Sequence, residues 1–275
     1  MGTFQDDTAV TKIDGKLTAT LSRDWEIWGP SGGYVSAVAL RAAGAIAPPG
    51  HRPASYSCQY LSAGPFGPIR IEAEPVRQGR NVWCINVALF DGGKRFLQAQ
   101  VWTTNKSDGP HKIDCAMPAV PKPSALRPVE DFLPPGTPRH PFWEHFESKH
   151  VDFIGWENGQ FDKRGSVAEQ WQKLRDFDAS GDAFLDCGRP LLLVDTLPWL
   201  TFERGLDIKP DYIAPSLDLT VWFHDLPGPA EWLFCDCHSD VAVGGLIHGR
   251  VRVWSEDGRI LATGGSNLLH VARRR

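Results

Sequence analysis

Ser216-Leu-Asp-Leu-Thr-Val-Trp-Phe-His224 and Ser55-Tyr-Ser-Cys-Gln-Tyr-Leu61 decide the fold, because together they mark an internal duplication. A Gly-Pro pair follows each stretch, at Gly228-Pro229 and at Gly67-Pro68. The two serines and the two pairs are separated by the same 161 residues (216 − 55 and 228 − 67). A repeat of this length is too long for a solenoid unit and indicates two fused copies of one small domain.

Each half contains one helical segment followed by four strand segments. The helices are expected over 32–47 and 190–204, and Pro198 is expected to kink or divide the second, because proline removes an amide donor. Asp91-Gly92 and Asp257-Gly258 predict hairpin turns. A mostly apolar helix is covered most economically by an antiparallel sheet that curls around it. The strands are expected at 54–61, 69–76, 81–90 and 95–104, and at 151–157, 166–174, 216–224, 231–239, 246–255 and 260–269.

The chain divides into an N-terminal domain over 1–105, a linker rich in proline and polar residues over 106–145, and a C-terminal domain over 146–275. The 275 residues carry a formal net charge of −4, with 42% hydrophobic and 23% charged residues. A nucleic-acid-binding protein usually has a concentrated basic face, and the largest basic cluster here is Arg273-Arg274-Arg275. The sequence therefore indicates a folded protein that does not bind nucleic acid.

No apolar run approaches the roughly 18 residues of a membrane span, and the N-terminus lacks the features of a signal peptide. The six cysteines are scattered, and reduced thiols are their expected state. These features predict a cytoplasmic protein. Cys235-X-Cys237-His238 has a spacing unlike that of zinc knuckles, so no metal site is expected.

Three local sequences resemble the acyl-CoA thioesterase II family. The segment from Ser216 to His224 matches a family strand that ends in Trp-Phe-His, and Asp257-Gly-Arg-Ile-Leu-Ala-Thr263 matches a family hairpin. Trp28-Gly-Pro-Ser-Gly-Gly-Tyr34 is similar to the opening of the family's first central helix. The resemblance runs roughly from Gly15 to the C-terminus. It implies an α+β double-hotdog fold and hydrolysis of acyl-CoA in lipid metabolism, with no cofactor and possible assembly into a homodimer or higher oligomer.

The resemblance also implies a catalytic set in the second half. Family members activate a water with a helix carboxylate, a strand hydroxyl and an amide on the last strand. By position these roles fall on Asp195, Ser216 and Ser266, although the family usually has glutamine at the third position. Asn267 could replace that amide only if the strand register slips by one residue, because neighbouring side chains on a strand face opposite sides.

The residues themselves also single out Asp195. It is the only charged residue between Arg189 and Glu203, in a segment otherwise made almost entirely of apolar residues. Burial of such a carboxylate raises its pKa towards the range of a general base. The alternatives are that Asp195 caps a turn or pairs with an arginine, and that Ser216 only satisfies a local amide at a strand start.

The first half lacks a carboxylate at the corresponding helix position and carries Gln98 and Gln100 on its last strand, so it is expected to be non-catalytic. Gly32 and Gly33 open its helix, either to bring a backbone amide to a ligand oxygen or only to allow close packing. His224 is either an edge residue of the site or a packed strand end. The expected substrate-binding residues are Gly32, Gly33, Tyr34, His224 and Asn267.

Two other functions compete with hydrolysis. One is a non-catalytic acyl-CoA-binding or lipid-binding protein, which the missing glutamine favours. The other is an acyl thioester hydratase. Hotdog hydratases typically place a histidine five residues after their aspartate, and here that position is Leu200. The hydratase is therefore the less favoured alternative.

Overall fold

Twelve strands of the chain form one antiparallel sheet with two long helices packed against it. The computed structural model describes residues 1–151, 165–206 and 212–272. The helices are α1 (Phe4–Asp7), α2 (Gly32–Gly44) and α3 (Ala183–Arg204). The strands are β1 (Thr11–Ile13), β2 (Lys16–Leu21), β3 (Arg52–Tyr60), β4 (Gly67–Gln78), β5 (Val82–Asp91), β6 (Lys94–Thr104), β7 (Phe146–His150), β8 (Val167–Leu174), β9 (Tyr212–Ile213), β10 (Asp218–Phe223), β11 (Trp232–Val243), β12 (Leu246–Ser255), β13 (Ile260–Leu269) and β14 (Val271–Ala272).

The two halves meet where the duplicated segments pair with each other. The strand order is β1-β2-β4-β5-β6-β3-β10-β13-β12-β11-β8-β7, so β3 and β10 lie side by side at the centre. Their antiparallel register runs from Asp218 opposite Gln59 to Trp222 opposite Ser55. The two copies thus share one continuous sheet, and neither copy leaves its β3 or β10 edge exposed.

Both predicted hairpins are present. Gly92 lies between β5 and β6 with φ 55°, and Gly258 lies between β12 and β13 with φ 85°. Positive φ is the region in which glycine has no steric penalty, which explains why the turns use Asp-Gly. The short connections fix the register of the strands that carry the C-terminal site residues.

The second long helix starts earlier than the sequence patterns predict. It begins at Ala183, because the Asp182 side chain accepts hydrogen bonds from the Phe184 and Leu185 amides and so caps its first turn. The expected start at Pro190 is wrong, since that proline lies inside the helix. The helix also continues through Pro198. A Cβ at Gly249 on β12 would overlap the Pro198 ring, so this glycine gives the ring its space.

The two long helices pack directly on each other through Gly33. A Cβ at this position would lie 2.7 Å from the Leu192 carbonyl oxygen, which is closer than real Cβ contacts allow. Nearly every side chain from Gly33 to Ala43 and from Phe184 to Trp199 is buried. The helix pair therefore forms the centre of the core, with the N-terminus of α2 close to the middle of α3.

The segment over 106–145 contains three short 3-10 helices. Met117, Val120 and Leu126 pack against a cluster around Trp171 and Phe234, on the side of the sheet away from α3. The strand expected over 151–157 lies outside the described residues except for Val151. Arg273, Arg274 and Arg275 also lie outside them. Among the residues that are described, no helix combines the length and the apolar character needed to cross a membrane.

Candidate functional site

Asp195 lies in the middle of α3 and is buried, with 6% of its surface exposed. The Tyr60 hydroxyl donates a hydrogen bond to Asp195 Oδ1 over 3.1 Å. The Ser216 hydroxyl and the Gly33 backbone amide also lie close enough to this carboxylate to lower its pKa through hydrogen bonding. Three elements that are distant in sequence therefore converge on one acidic side chain.

Burial raises the pKa of Asp195 from 3.8 to about 6. The hydrogen bonds from Ser216, Tyr60 and Gly33 lower the pKa and partly offset that effect. No arginine or lysine forms an ion pair with Asp195 in the described part of the chain, and its mid-helix position excludes a capping role. A carboxylate of this kind is ionised at neutral pH and still basic enough to accept a proton.

Ser216 and Ser266 are brought to this region by the pairing between the start of β10 and the end of β13. Ser216 forms a bridge with Leu268, and the Leu217 amide donates to the Asn267 carbonyl over 2.7 Å. Ser266 is 1% exposed and lies on the face of β13 that packs on α3, like Gly264 and Leu268. Its buried hydroxyl has no hydrogen-bond partner among the described residues.

Asn267 lies on the opposite face of the sheet. Its side-chain amide donates to Asp218 over 2.9 Å, and its backbone amide donates to the same carboxylate over 3.0 Å. The register slip that would turn Asn267 towards Asp195 does not occur, because Gly249 pairs with Ser266 and Thr220 pairs with Gly265. Asn267 therefore does not replace the missing amide beside Asp195, and its part in substrate binding stays a prediction.

Tyr34 and His224 are also separate from Asp195. Tyr34 is fully buried and stacks on Trp25, and its hydroxyl donates to the Asp7 carbonyl over 2.7 Å. His224 follows the far end of β10, where its Nε2 atom lies 2.9 Å from the Thr263 hydroxyl. At about 3.3 Å per strand residue, eight positions separate it from Ser216 by roughly 26 Å. The structure does not bring these two residues to Asp195, and their roles in substrate binding stay predictions.

Gly32 and Gly33 do lie against the carboxylate. A Cβ at Gly32 would lie 2.8 Å from Asp195 Oδ2, and a Cβ at Gly33 would lie 3.2 Å from Asp195 Cβ. The close helix packing is therefore observed, and the approach of a backbone amide to a ligand oxygen stays a prediction. The positive end of the α2 dipole also favours a negative charge at this point.

Sequence reasoning missed the contribution of β3. Tyr56, Cys58 and Tyr60 alternate along this strand, and alternation places them on one face, towards the helices. Ser36 of α2 lies among them, with its hydroxyl 2.8 Å from the Tyr60 hydroxyl and 3.6 Å from Cys58 Sγ. The alternating tyrosines were the available signal, but the pairing of β3 with β10 was needed to bring Tyr60 to Asp195.

Gln98 and Gln100 take no part in this arrangement. On β6 they alternate with Ala99 and Val101, which are buried against the helices, so the glutamines face the other side of the sheet. Gln100 donates to Asn86 over 3.4 Å there. The first half thus contributes through Tyr60, Ser36 and Gly33 rather than through these glutamines.

Two family models cover the chain: the acyl-CoA thioesterase N-terminal domain over residues 21–104 and the acyl-CoA thioesterase C-terminal domain over residues 92–265. Acyl-coenzyme A thioesterase 8 from Homo sapiens is 25% identical over 268 residues, covering 90% of this chain and 83% of that protein. The Mus musculus protein of the same name is 23% identical over 278 residues, with coverages of 93% and 86%.

Solved structures confirm the predicted double-hotdog, α+β fold. A hot dog fold protein of unknown function from Alicyclobacillus acidocaldarius superposes with a TM-score of 0.82 at 21% identity, over 98% of both chains. The acyl-CoA thioesterase II TesB2 from Mycobacterium marinum gives a TM-score of 0.79 at 19% identity, again over 98% of both. At these identities the structures establish the fold alone. On the evidence of the matching family models, the chain belongs to the acyl-CoA thioesterase family.

Proposed function

We propose that this chain hydrolyses acyl-CoA thioesters to free acid and CoA with a water activated at Asp195. The observation that carries the proposal is a buried helix carboxylate with a raised pKa, in contact with Ser216, Tyr60 and Gly33, in a member of this family. Burial without a cationic partner costs folding free energy, and a catalytic role accounts for that cost.

The chemistry follows from the protonation state of Asp195. The ionised carboxylate accepts a proton from water as the water oxygen attacks the thioester carbonyl carbon. The carbon–sulfur bond then breaks, and the proton passes to the departing sulfur, so that the acid and the CoA thiol are released. Ser216 donates its single proton to Asp195, which leaves its oxygen lone pairs free to accept from the water.

Ser266 supplies the third polar group in this proposal. Its hydroxyl is buried on the helix side of the sheet and has no partner among the described residues, so it is available to bind the water or the carbonyl oxygen. Gly32 and Gly33 place the N-terminus of α2 on the other side of Asp195, where backbone amides and the helix dipole favour a developing oxyanion. The proposed substrate-binding residues are therefore these two glycines.

A non-catalytic acyl-CoA-binding protein is the second candidate. The observation that favours it is Ser266 itself, since a serine at this position reaches less far than the glutamine usual in the resembled family. The hydratase has no such support, because Leu200 is apolar and α3 contains no histidine.

The test is a panel of acetyl-, medium-chain, long-chain and aromatic acyl-CoAs incubated with the purified chain in ¹⁸O-labelled water. Hydrolysis predicts release of CoA and one labelled oxygen in the free acid for at least one substrate class. Tight binding of an acyl-CoA without release of CoA over hours would contradict the proposal and support the binding protein. A hydrated acyl-CoA as the product would support the hydratase.

A further inference from the structure

A chain of hydrogen bonds runs from the first half of the molecule to Asp195. Cys58 Sγ lies 3.6 Å from Ser36 Oγ, Ser36 Oγ lies 2.8 Å from the Tyr60 hydroxyl, and that hydroxyl lies 3.1 Å from Asp195 Oδ1. Ser36 and Cys58 are fully buried. This series of hydrogen bonds connects β3 and α2 of one half to α3 of the other.

The direction of these hydrogen bonds is fixed by their last member. An ionised carboxylate only accepts, so the single proton of Tyr60 points to Asp195. Ser36 must then donate to the Tyr60 oxygen, and the Cys58 thiol is left to donate to Ser36. Burial raises the pKa of Cys58 to about 12 and that of Tyr60 well above its usual value, so both groups keep their protons at neutral pH.

We propose that Tyr60 is a positioning residue of the thioesterase site, whose phenol holds the Asp195 carboxylate in one orientation and whose own proton is directed by Ser36. This rests on the proposed function, because it assigns Tyr60 a part in the site at Asp195. The Tyr60 hydroxyl binds Asp195 Oδ1, and a Cβ at Gly32, at the N-terminus of α2, would lie 2.8 Å from Oδ2 and 3.1 Å from Oδ1. Tyr60 therefore orients the carboxylate through Oδ1.

The other groups around Asp195 do not supply this function. Tyr56 and Cys58 face it from β3, Ser216 and the Gly33 amide act on it through hydrogen bonding, and Ser266 lies on the helix-facing side of β13. Along α3 the flanking Thr196 hydroxyl is engaged with the Leu192 carbonyl. Within the described residues, Tyr60 is thus the one phenol bonded to the carboxylate, and its ring has no counterpart in the second half.

Tyr60→Phe tests the proposal, and Tyr56→Phe is the matched control. The control removes the same atom from the same face of the same strand, and the Tyr56 hydroxyl forms no hydrogen bond with Asp195 in the described part of the chain. The readout is the carboxyl ¹³C titration of Asp195, assigned by its absence in Asp195→Asn. Because Tyr60 stabilises the ionised form, Tyr60→Phe is expected to raise this pKa by about one unit, and Tyr56→Phe to leave it unchanged. An unchanged pKa in Tyr60→Phe overturns the proposal.

Kinetics separate positioning from a structural role. In Tyr60→Phe the acidic limb of kcat/KM is expected to move to higher pH by the same amount as the titration, whereas a merely structural residue would lower Tm and leave the limb in place. The titration needs no turnover, so a wild type that released no CoA would contradict the proposed function without deciding the Tyr60–Asp195 interaction. Should Tyr60→Phe not fold, Ser36→Ala is expected to shift the titration in the same direction by less, and no shift would overturn the proposal.

Discussion

At the scale of single residues, the site depends on a carboxylate that is costly to bury. The pKa of Asp195 is about 6 in the folded chain, against 3.8 for an ordinary aspartate. The folded state therefore binds this proton more tightly than the unfolded state does. Asp195 therefore lowers the free energy of unfolding, and the whole of this cost is present above about pH 6. The cost disappears as the pH falls to about 4.

Asp195→Asn should therefore stabilise the protein at neutral pH. The expected gain in the free energy of unfolding is on the order of 1–3 kcal/mol at pH 7. The shift of about two pKa units sets the upper end of this range, and the new contacts of the amide reduce the gain. Urea unfolding at several pH values measures it. The gain should fade between pH 6 and pH 4, and a variant that is less stable than wild type at pH 7 would contradict this account of the burial cost.

The same pKa predicts the pH dependence of the wild-type enzyme. Only the ionised form of Asp195 accepts a proton, so kcat/KM for acyl-CoA hydrolysis should fall about tenfold per pH unit below a pH near 6. Initial rates at subsaturating substrate from pH 4.5 to 8 measure this limb. A rate that stays level down to pH 4.5 would mean that no group of this pKa acts as the base.

At the scale of elements, the crossing of α2 and α3 places the backbone of one half against the carboxylate of the other. Gly33 has room for no side chain, because a Cβ would lie 2.7 Å from the Leu192 carbonyl oxygen and 2.8 Å from Leu192 Cα. Backbone atoms cannot move aside as a flexible side chain can. The helices would have to separate to accept even a methyl group, and Asp195 would move with α3.

Gly33→Ala is therefore expected to lower the free energy of unfolding by about 1–3 kcal/mol and to reduce kcat/KM. Gly93→Ala is the matched control, because a Cβ there meets nothing within 4 Å and its φ is not positive. Thermal unfolding and CoA release measure the two effects. Equal stability of the two variants would show that α2 and α3 do not meet as closely as described.

Sequence patterns predicted the elements well where the signal is local. The Asp-Gly turns at 91–92 and 257–258 are visible in the sequence because glycine adopts the required positive φ without steric penalty. The predicted start of α3 at Pro190 is wrong, because the Asp182 cap eight residues earlier begins the helix and Pro190 lies inside it. Alternation along β13 favoured Ser266 over Asn267 for the site, and the strand register has this orientation.

The site itself could be predicted only in part. Asp195 was recognisable as a lone charge in an apolar helix, which is a property of a single segment. Tyr60 was not, because its contact with Asp195 spans 135 residues and depends on the register of β3 against β10. A sequence pattern shows which face a side chain occupies, but not which distant element that face will meet.

At the scale of the whole molecule, the duplication explains why the two halves contribute unequally. Tyr34 lies 161 residues before Asp195, the same offset that relates the two duplicated serines. In place of a carboxylate the first half thus has a buried tyrosine, which bonds to Ser22 and Asp7 and stacks on Trp25. The position in the first half that corresponds to Asp195 is thus occupied by a residue of the packed core, so one site per chain is expected.

The glutamines of the first half should therefore be dispensable. We expect the double variant Gln98→Ala and Gln100→Ala to keep kcat/KM within about twofold of wild type, because both side chains face away from the helices and surface substitutions change little. Calorimetry with a non-hydrolysable acyl-CoA analogue should give one site per chain in both proteins. A large loss of activity, or two sites per chain, would indicate a second functional centre in the first half.

The central claim is that Asp195 activates the water, and the most direct test is the rate of CoA release by Asp195→Asn. Asp186→Asn is the matched control, since Asp186 is also buried on α3 with a pKa raised by burial, yet lies nine residues before Asp195 on that helix. We predict a loss of about 10²- to 10⁴-fold in kcat for Asp195→Asn, with Tm unchanged or raised, and near wild-type turnover for Asp186→Asn. Release of CoA by Asp195→Asn at the wild-type rate would contradict it.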